Sequence, residues 1–222
     1  MRIFMLGNGP SLLQQRHLIP RLQRETTYGC NGLYEWDAMP IIPTFYGISS
    51  NKKHRIPEVN AIEAWRPVKK FILGKSYPKY GLREDWIWIE ARFELWMDKE
   101  GFKGMDGKLP CLPHGRATPL TQAQVAASMG FREFYFLGNE QTRVGHVYGL
   151  TGPKSERRKM GGLGPLLTEE EWEKNERDTF ASFVRARKDI EEAGGTIVDC
   201  TPDGRLVQEG ILPYAPLEEV LA

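Results

Sequence analysis

The sequence predicts an α/β protein with a Rossmann-like three-layer sandwich and a mainly parallel sheet. Two observations lead to this prediction. Strand-like and helix-like segments alternate along the 222 residues, as they do where helices connect parallel strands. The first apolar run, residues 3–6, ends in the turn GNGPS at 7–11. Glycine-rich turns of this kind join the first strand of such a sheet to a helix that begins at a proline.

Short apolar or β-branched runs, bounded by glycine, proline and polar residues, define the predicted strands. These strands are expected at 2–6, 27–30, 43–48, 69–73, 85–90, 133–138 and 196–200. Apolar residues at helical spacing define the predicted helices. These helices are expected at 10–22, 118–129, 168–193 and 216–221.

Two of these helices carry signals for where they begin. Thr118 followed by Pro119 predicts an N-cap and a proline in the first turn. Thr168 with Glu171 three residues later predicts a capping box. In the same long helix, Val184 is expected to pack on the sheet with the other apolar residues.

Two stretches depart from the regular alternation. Residues 51–115 are rich in Trp, Lys and Pro, and an irregular insertion or a subdomain is expected there. Residues 142–167 are rich in glycine, include a basic run at 154–159 and show no periodicity. Loops of this length in compact domains are usually lids, binding loops or disordered segments. A mobile lid or a solvated loop is therefore expected at 142–167.

Length and composition limit the possible classes of protein. Residues 1–222 are expected to form a single domain. The net charge of +1 provides no global field to attract nucleic acid or an anionic membrane, and no apolar run approaches the roughly 18 residues of a membrane span. Cys30, Cys111 and Cys200 are widely spaced, which favours a reducing cytoplasm over a disulfide framework or a cysteine metal site.

The turn at 7–11 is the first candidate binding site. Gly7 and Gly9 allow the backbone to turn and to approach a ligand closely, and the free amides at the start of the next helix, including that of Ser11, suit a phosphate. Asn8 follows the first strand at its carboxyl end, where open α/β sheets bind ligands. The turn lacks the spacing of the dinucleotide fingerprint and of a P-loop. A tight turn with no ligand remains an alternative.

Several stretches of the sequence resemble one superfamily. They are GNGPSL at 7–12, Cys30 and Asn31 followed by Tyr34, and TPLTQAQVAASMGFREFYFLG at 118–138. In this order they resemble bacterial sialyltransferases of the Campylobacter type and, more closely, small and often phage-encoded relatives of unassigned function. That set is similar to the archaeal 6-hydroxymethylpterin diphosphokinases.

The resemblance implies a single-domain glycosyltransferase that uses a nucleotide-sugar donor. It places Asn8 and Gly9 at the donor phosphates or sugar, and Asn31 at the nucleotide. Arg116 and Thr118 are expected near the donor phosphate, at the start of the following helix. A cation beside a helix N-terminus makes a good site for an oxyanion.

The general base is expected among three residues. The resembling sialyltransferases use a histidine in the region that corresponds to 172–178, and this chain has none there. Glu140 follows the sixth predicted strand, and His146 lies at the entry to the predicted lid; these two are the leading pair. Asp178 lies in the region of the missing histidine and is the third. A solvated surface position is the alternative for each of them.

Three functions remain open from the sequence. The first is inverting transfer of a sugar to a hydroxyl of a glycan, a protein or a hydroxymethylated base in phage DNA, in the cytoplasm of the host if the protein is phage-encoded. The second is pyrophosphoryl transfer to a pterin-like molecule, which would need ATP and magnesium held by Asn139, Glu140 and Asp199. The third is a non-catalytic nucleotide-binding module. The chain has no Asp-x-Asp pair, so a metal-independent transfer with no tightly bound cofactor is favoured.

Overall fold

A parallel sheet forms the centre of the protein. The computed structural model describes residues 1–36, 39–49, 56–74, 85–109, 111–141 and 168–222. The strands are β1 (Arg2–Leu6), β2 (Thr27–Cys30), β3 (Phe45–Ile48), β4 (Lys69–Gly74), β5 (Trp86–Trp96), β6 (Leu112–His114), β7 (Glu133–Leu137) and β8 (Thr196–Asp199). Their order across the sheet is β6-β5-β4-β3-β2-β1-β7-β8, and every neighbouring pair is parallel.

Helices cover both faces of this sheet. The α-helices of the described part of the chain are α1 (Ser11–Gln14), α2 (Ile56–Trp65), α3 (Met97–Glu100), α4 (Thr118–Ser128), α5 (Glu169–Glu192), α6 (Arg205–Gln208) and α7 (Leu217–Val220). Two 3₁₀-helices span Ile19–Arg24 and Asn31–Glu35. None of the helices in the described residues has the length and apolar content needed to cross a bilayer.

The side chains of β1 alternate between the two faces of the sheet and show how the layers are arranged. Ile3 and Met5 belong to the buried cluster that also contains the apolar residues of α4 and α5. Phe4 and Leu6 belong to the cluster on the other face, together with Leu12 of α1. Successive side chains of a strand point to opposite faces, so each face of the sheet has its own apolar core. The predicted α/β three-layer sandwich is confirmed.

The first predicted helix, 10–22, is wrong in its extent. The structure has the short helix Ser11–Gln14, a turn, and then the 3₁₀-helix Ile19–Arg24. Pro20 is the physical reason, because it lacks a backbone N–H and its ring collides with the carbonyl four residues earlier in a continuous α-helix. The apolar spacing that predicted one helix is shared by two short ones.

The range 51–115 contains more regular structure than the sequence indicated. Helix Ile56–Trp65 and the three-residue strand Leu112–His114 were not predicted, and Trp86–Trp96 extends beyond the predicted 85–90. β4, β5 and β6 all belong to the one sheet. The described part of this range therefore extends the sheet itself. The predicted lid, 142–167, lies outside the described residues.

Helix α5 begins as predicted, and one of its predicted core residues does not face the sheet. The capping box is present, with Thr168 and Glu171 each bonded to the backbone of the other. Val184 is 54% exposed, so its predicted burial is wrong. Thr179 and Ser182 are buried instead, and their hydroxyls donate to carbonyl oxygens four residues earlier at 2.6 and 2.9 Å. This internal bonding lets small polar residues face the sheet.

The strand order locates the expected binding edge. Strands β1 to β6 extend from the centre to one side, whereas β7 and β8 lie on the other side of β1. Open α/β sheets bind ligands outside the carboxyl ends of the strands at the point where the order reverses. That point lies between β1 and β7, so the turns 7–11 and 138–141 border it. We call the space between these two turns the switch-point crevice.

Candidate active site

The two turns that border the crevice are joined through their backbones. The amide of Gly7 donates to the carbonyl of Leu137 at 2.8 Å, and the amide of Gly9 donates to the carbonyl of Gly138 at 2.8 Å. A Cβ atom at Gly7 would lie 2.2 Å from the oxygen of Gly138. Because that oxygen belongs to the backbone, no side chain can turn away to make room. The geometry of the crevice therefore depends on glycine at this position.

Glu140 fills the inner side of the turn after β1. Its carboxylate accepts a hydrogen bond from the amide of Ser11, and a Cβ atom at Gly9 would lie 1.3 Å from its Oε2 atom. The backbone oxygen of Glu140 accepts from the amide of Arg205 at 3.2 Å. Three residues predicted from the sequence, Gly9, Ser11 and Glu140, thus meet in one place. The amide of Ser11, predicted to suit a phosphate, is already bonded to a carboxylate.

Several buried polar atoms around the crevice lack a hydrogen-bond partner among the described residues. They are Oδ1 of Asn8, Oγ of Ser11, Nδ2 of Asn139 and Oδ2 of Asp199. Asn8 is only 9% exposed, and Asp199 is fully buried. Burial raises the pKa of Asp199 to about 7, and the nearby charge of Glu140 contributes to this rise. Unpaired buried polar groups are costly and rare, so water or a ligand is expected to supply partners for these four atoms.

A second set of residues lies where β2, β3 and α4 meet. Asn31 donates from Nδ2 to Oγ1 of Thr118 at 2.9 Å, and its Oδ1 accepts from the amide of Ser49 at 3.0 Å. Tyr46 donates its hydroxyl to the backbone oxygen of Asn31 at 3.0 Å. Asn31 has a φ of 44°, in the left-handed region that asparagine tolerates better than most residues. One side chain thus joins the ends of two strands to the start of α4.

The predicted N-cap of α4 is wrong by one residue. The N-cap is Ala117, and no side chain of the described residues caps this helix. The hydroxyl of Thr118 is bonded to Asn31 instead. The first amides of an α-helix have no partner within the helix and carry partial positive charge. Pro119, the second residue of this uncapped helix of 11 residues, has no backbone N–H. The donors that the helix presents to an anion at the carboxyl edge of the sheet are therefore the amides of Thr118 and Leu120.

Arg116 lies just before this helix and is held on two sides. Its guanidinium carbon lies 3.5 Å from the centroid of the Trp96 ring. Its Nη2 atom lies 2.7 Å from Oδ2 of Asp178, a pair that is only partly exposed. Arg116 and Asp178 were both predicted as site residues, and the structure brings them together. Trp96, at the end of β5, was missed, because its tryptophan-rich segment was interpreted as part of an insertion.

His114 completes what we call the Arg116 cluster, defined as Trp96, His114, Arg116 and Asp178. The Nδ1 atom of His114 accepts from the amide of Arg116 at 3.1 Å, and its ring meets that of Trp96 edge-on at 5.9 Å. Burial and, to a smaller extent, the charge of Arg116 together lower the pKa of His114 to about 4. His114 is therefore neutral at pH 7, as a hydrogen-bond acceptor at Nδ1 must be.

This depressed pKa predicts a pH dependence of stability. His114 takes up a proton near pH 6.5 in the unfolded chain and only near pH 4 in the folded chain. The stability that neutral His114 contributes is therefore complete above pH 6.5 and is lost as the pH falls towards 4. His114→Asn keeps an acceptor but cannot titrate. As the pH falls from 7 to 4, the melting temperature of wild type should fall relative to that of this variant. Melting temperatures that change with pH by the same amount in both proteins would contradict the assignment.

Three residues were predicted as candidates for the general base. His146 lies outside the described residues. Glu140 and Asp178 belong to different parts of the edge: Glu140 borders the switch-point crevice, and Asp178 belongs to the Arg116 cluster. Within the described part of the chain there is no group of three His, Cys, Asp or Glu residues that could hold a metal ion.

Three solved structures share this fold. An alpha-2,3/8-sialyltransferase CstII mutant matches 97% of this chain and 87% of its own, with 12% identity and a TM-score of 0.52. The Campylobacter jejuni sialyltransferase CstII in complex with a substrate analogue, cytidine-5'-monophosphate, matches 97% of this chain and 85% of its own, with 13% identity and a TM-score of 0.53. The MAf glycosyltransferase from Magnetospirillum magneticum AMB-1 matches 98% of this chain, with 16% identity and a TM-score of 0.56, and this chain spans 34% of it.

These likenesses confirm that the fold is one found in sialyltransferases and glycosyltransferases. No protein-family model matches the chain, and no curated protein sequence matches it either. The resemblance to phage-encoded proteins and to pterin diphosphokinases finds no support in these comparisons.

Proposed function

We propose that this chain is a glycosyltransferase that moves a sugar from a nucleotide-sugar donor to an acceptor hydroxyl. The observation that carries the proposal is the uncapped N-terminus of α4, where Asn31 is bonded to Thr118 and Arg116 lies one residue before the N-cap. Free helix amides preceded by an arginine are suited to a phosphate. The bound cytidine-5'-monophosphate of one structural neighbour supports a nucleotide as the ligand.

The nucleotide end of the donor is assigned to this region. Arg116 and the first amides of α4 hold the phosphate that leaves with the nucleotide. Thr118 and Asn31, already bonded to each other, line the adjoining wall and hold the nucleoside. Negative charge develops on the phosphate as its bond to the sugar breaks, so donors fixed in advance at this position stabilise the transition state.

The sugar and the acceptor are assigned to the switch-point crevice. Asn8 and Glu140 offer oxygen acceptors there, and acceptors pair with hydroxyl groups rather than with phosphate oxygens. Gly7, Gly9 and Ser11 hold the turn in position for this contact. The carboxylate of Glu140 also makes the turn a poor place for a phosphate, because like charges repel.

Glu140 is the general base of this proposal. Its carboxylate takes the proton from the acceptor hydroxyl, whose oxygen forms the new bond to the anomeric carbon. The bond between that carbon and the phosphate oxygen breaks, and its electron pair leaves with the nucleotide. The proposed displacement is inverting, with the acceptor oxygen and the departing phosphate on opposite sides of the anomeric carbon. No metal is required, and a glycan or a hydroxymethylated DNA base would both present the necessary hydroxyl.

A binding panel tests the donor assignment. The melting temperature of the protein is measured with CMP, UDP, GDP, TDP, ADP and ATP, each with EDTA or with magnesium. A ligand at 100 times its Kd adds about 2.7 kcal/mol of stability. A shift with one nucleotide in EDTA is expected. A shift with ATP alone that requires magnesium would favour the pyrophosphokinase instead. No shift with any nucleotide would overturn the proposal.

A further inference from the structure

Arg116 is held in place by more than its ion pair. The Trp96 ring lies against its guanidinium at 3.5 Å, and its backbone amide is bonded to His114. Its side chain is mostly buried, at 17% exposure. The Trp96 ring therefore restricts the guanidinium independently of Asp178.

Asp178 contacts Arg116 from helix α5. Among the described residues, Arg116 is the recorded partner of its carboxylate, with 2.7 Å between Oδ2 and Nη2. The Nε atom of Arg116 is buried and has no partner in this part of the chain. The carboxylate therefore leaves the Nε donor of the guanidinium unused.

We infer that Asp178 is an exchangeable counter-anion, which occupies on Arg116 the place of a ligand phosphate. The inference rests on the proposed function and deepens it. A phosphate has more oxygens than a carboxylate, so it can pair with the guanidinium and also with the amides of Thr118 and Leu120. Donor binding then replaces the carboxylate on Arg116. The competition weakens nucleotide affinity and favours release of the nucleotide product.

The substitution Asp178→Asn tests this exchange. It keeps the size of the side chain and removes its charge, so the phosphate no longer competes with a carboxylate. Calorimetry measures the binding of CMP and of cytidine to wild type and to the variant. If CMP does not shift the melting temperature in the panel, the nucleotide that does so and its nucleoside are used instead. The variant is expected to bind the nucleotide about three- to tenfold more tightly and the nucleoside equally. Structural damage would not produce tighter binding of the nucleotide without tighter binding of the nucleoside.

Glu173→Gln provides the matched control. Glu173 is an exposed residue of the same helix, 3.6 Å from Arg177, and its substitution changes the net charge by the same amount. It should leave both affinities unchanged. If wild type binds the nucleotide and Asp178→Asn binds it equally or more weakly, the exchange is overturned and the proposed function is unaffected. An equal gain in Glu173→Gln would also overturn it. If neither the wild type nor the variant binds any nucleotide, both proposals fail.

Discussion

Arg116→Ala is expected to weaken nucleotide binding by about 10- to 150-fold. A hydrogen bond to a charged group contributes about 1.5 to 3 kcal/mol, and 1.4 kcal/mol corresponds to about tenfold in affinity. The binding of the matching nucleoside should change little, because it lacks the phosphate. Calorimetry with the nucleotide and its nucleoside measures both effects.

Arg116→Lys separates charge from geometry in the same experiment. Lysine keeps the positive charge but loses the planar fork that stacks on Trp96 and pairs with two oxygens. It should recover only part of the lost affinity. Arg177→Ala, which removes a 66% exposed cation from α5, is the control and should bind like wild type. Nucleotide affinity that is unchanged in Arg116→Ala would show that the phosphate is bound elsewhere.

Glu140→Gln is expected to lower kcat by about 10²- to 10⁴-fold, the usual contribution of a general base. Glutamine can still accept the hydrogen bond from the amide of Ser11, so the turn and the nucleotide affinity should be retained. Steady-state kinetics with the donor identified by the panel, together with nucleotide binding, checks both expectations.

The pattern of change in Glu140→Gln distinguishes catalysis from structure. A fall in kcat with unchanged nucleotide affinity supports the base. A loss of nucleotide affinity with a lower melting temperature would mean that Glu140 only holds the turn after β1. The exposed Glu173→Gln should leave kcat unaltered. Full activity in Glu140→Gln would exclude it as the base and leave His146 and Asp178 as the predicted candidates.

Local patterns were sufficient to predict most of the sheet. β1, β2, β4, β7 and β8 are short apolar runs between turn residues, and the structure places each within a few residues of its predicted bounds. β6 was missed because three residues that include Pro113 carry no periodicity. The first helix was predicted too long because its apolar spacing outweighed the single proline at position 20.

The candidate site was predictable only in part. Asn31, Arg116 and Thr118 were placed by a resemblance in sequence, and the structure brings them to one edge. The bond from the amide of Ser11 to Glu140 joins residues 129 positions apart. It depends on how β1 pairs with β7, which no local pattern specifies. The contact of Trp96 with Arg116 likewise depends on strand pairing, because the position of Trp96 follows from the pairing of β5 with β6.

Nucleotide release from candidate donors is the most direct test of glycosyl transfer. The purified protein is incubated in EDTA with CMP-, UDP-, GDP- and TDP-linked sugars, and the free nucleotide is quantified for wild type, Arg116→Ala and Glu140→Gln. Release from one class of donor by wild type, at rates reduced at least tenfold in both variants, is the predicted result. No release from any donor by wild type, or equal release by all three proteins, would contradict the proposal that this edge of the sheet is a glycosyltransferase active site.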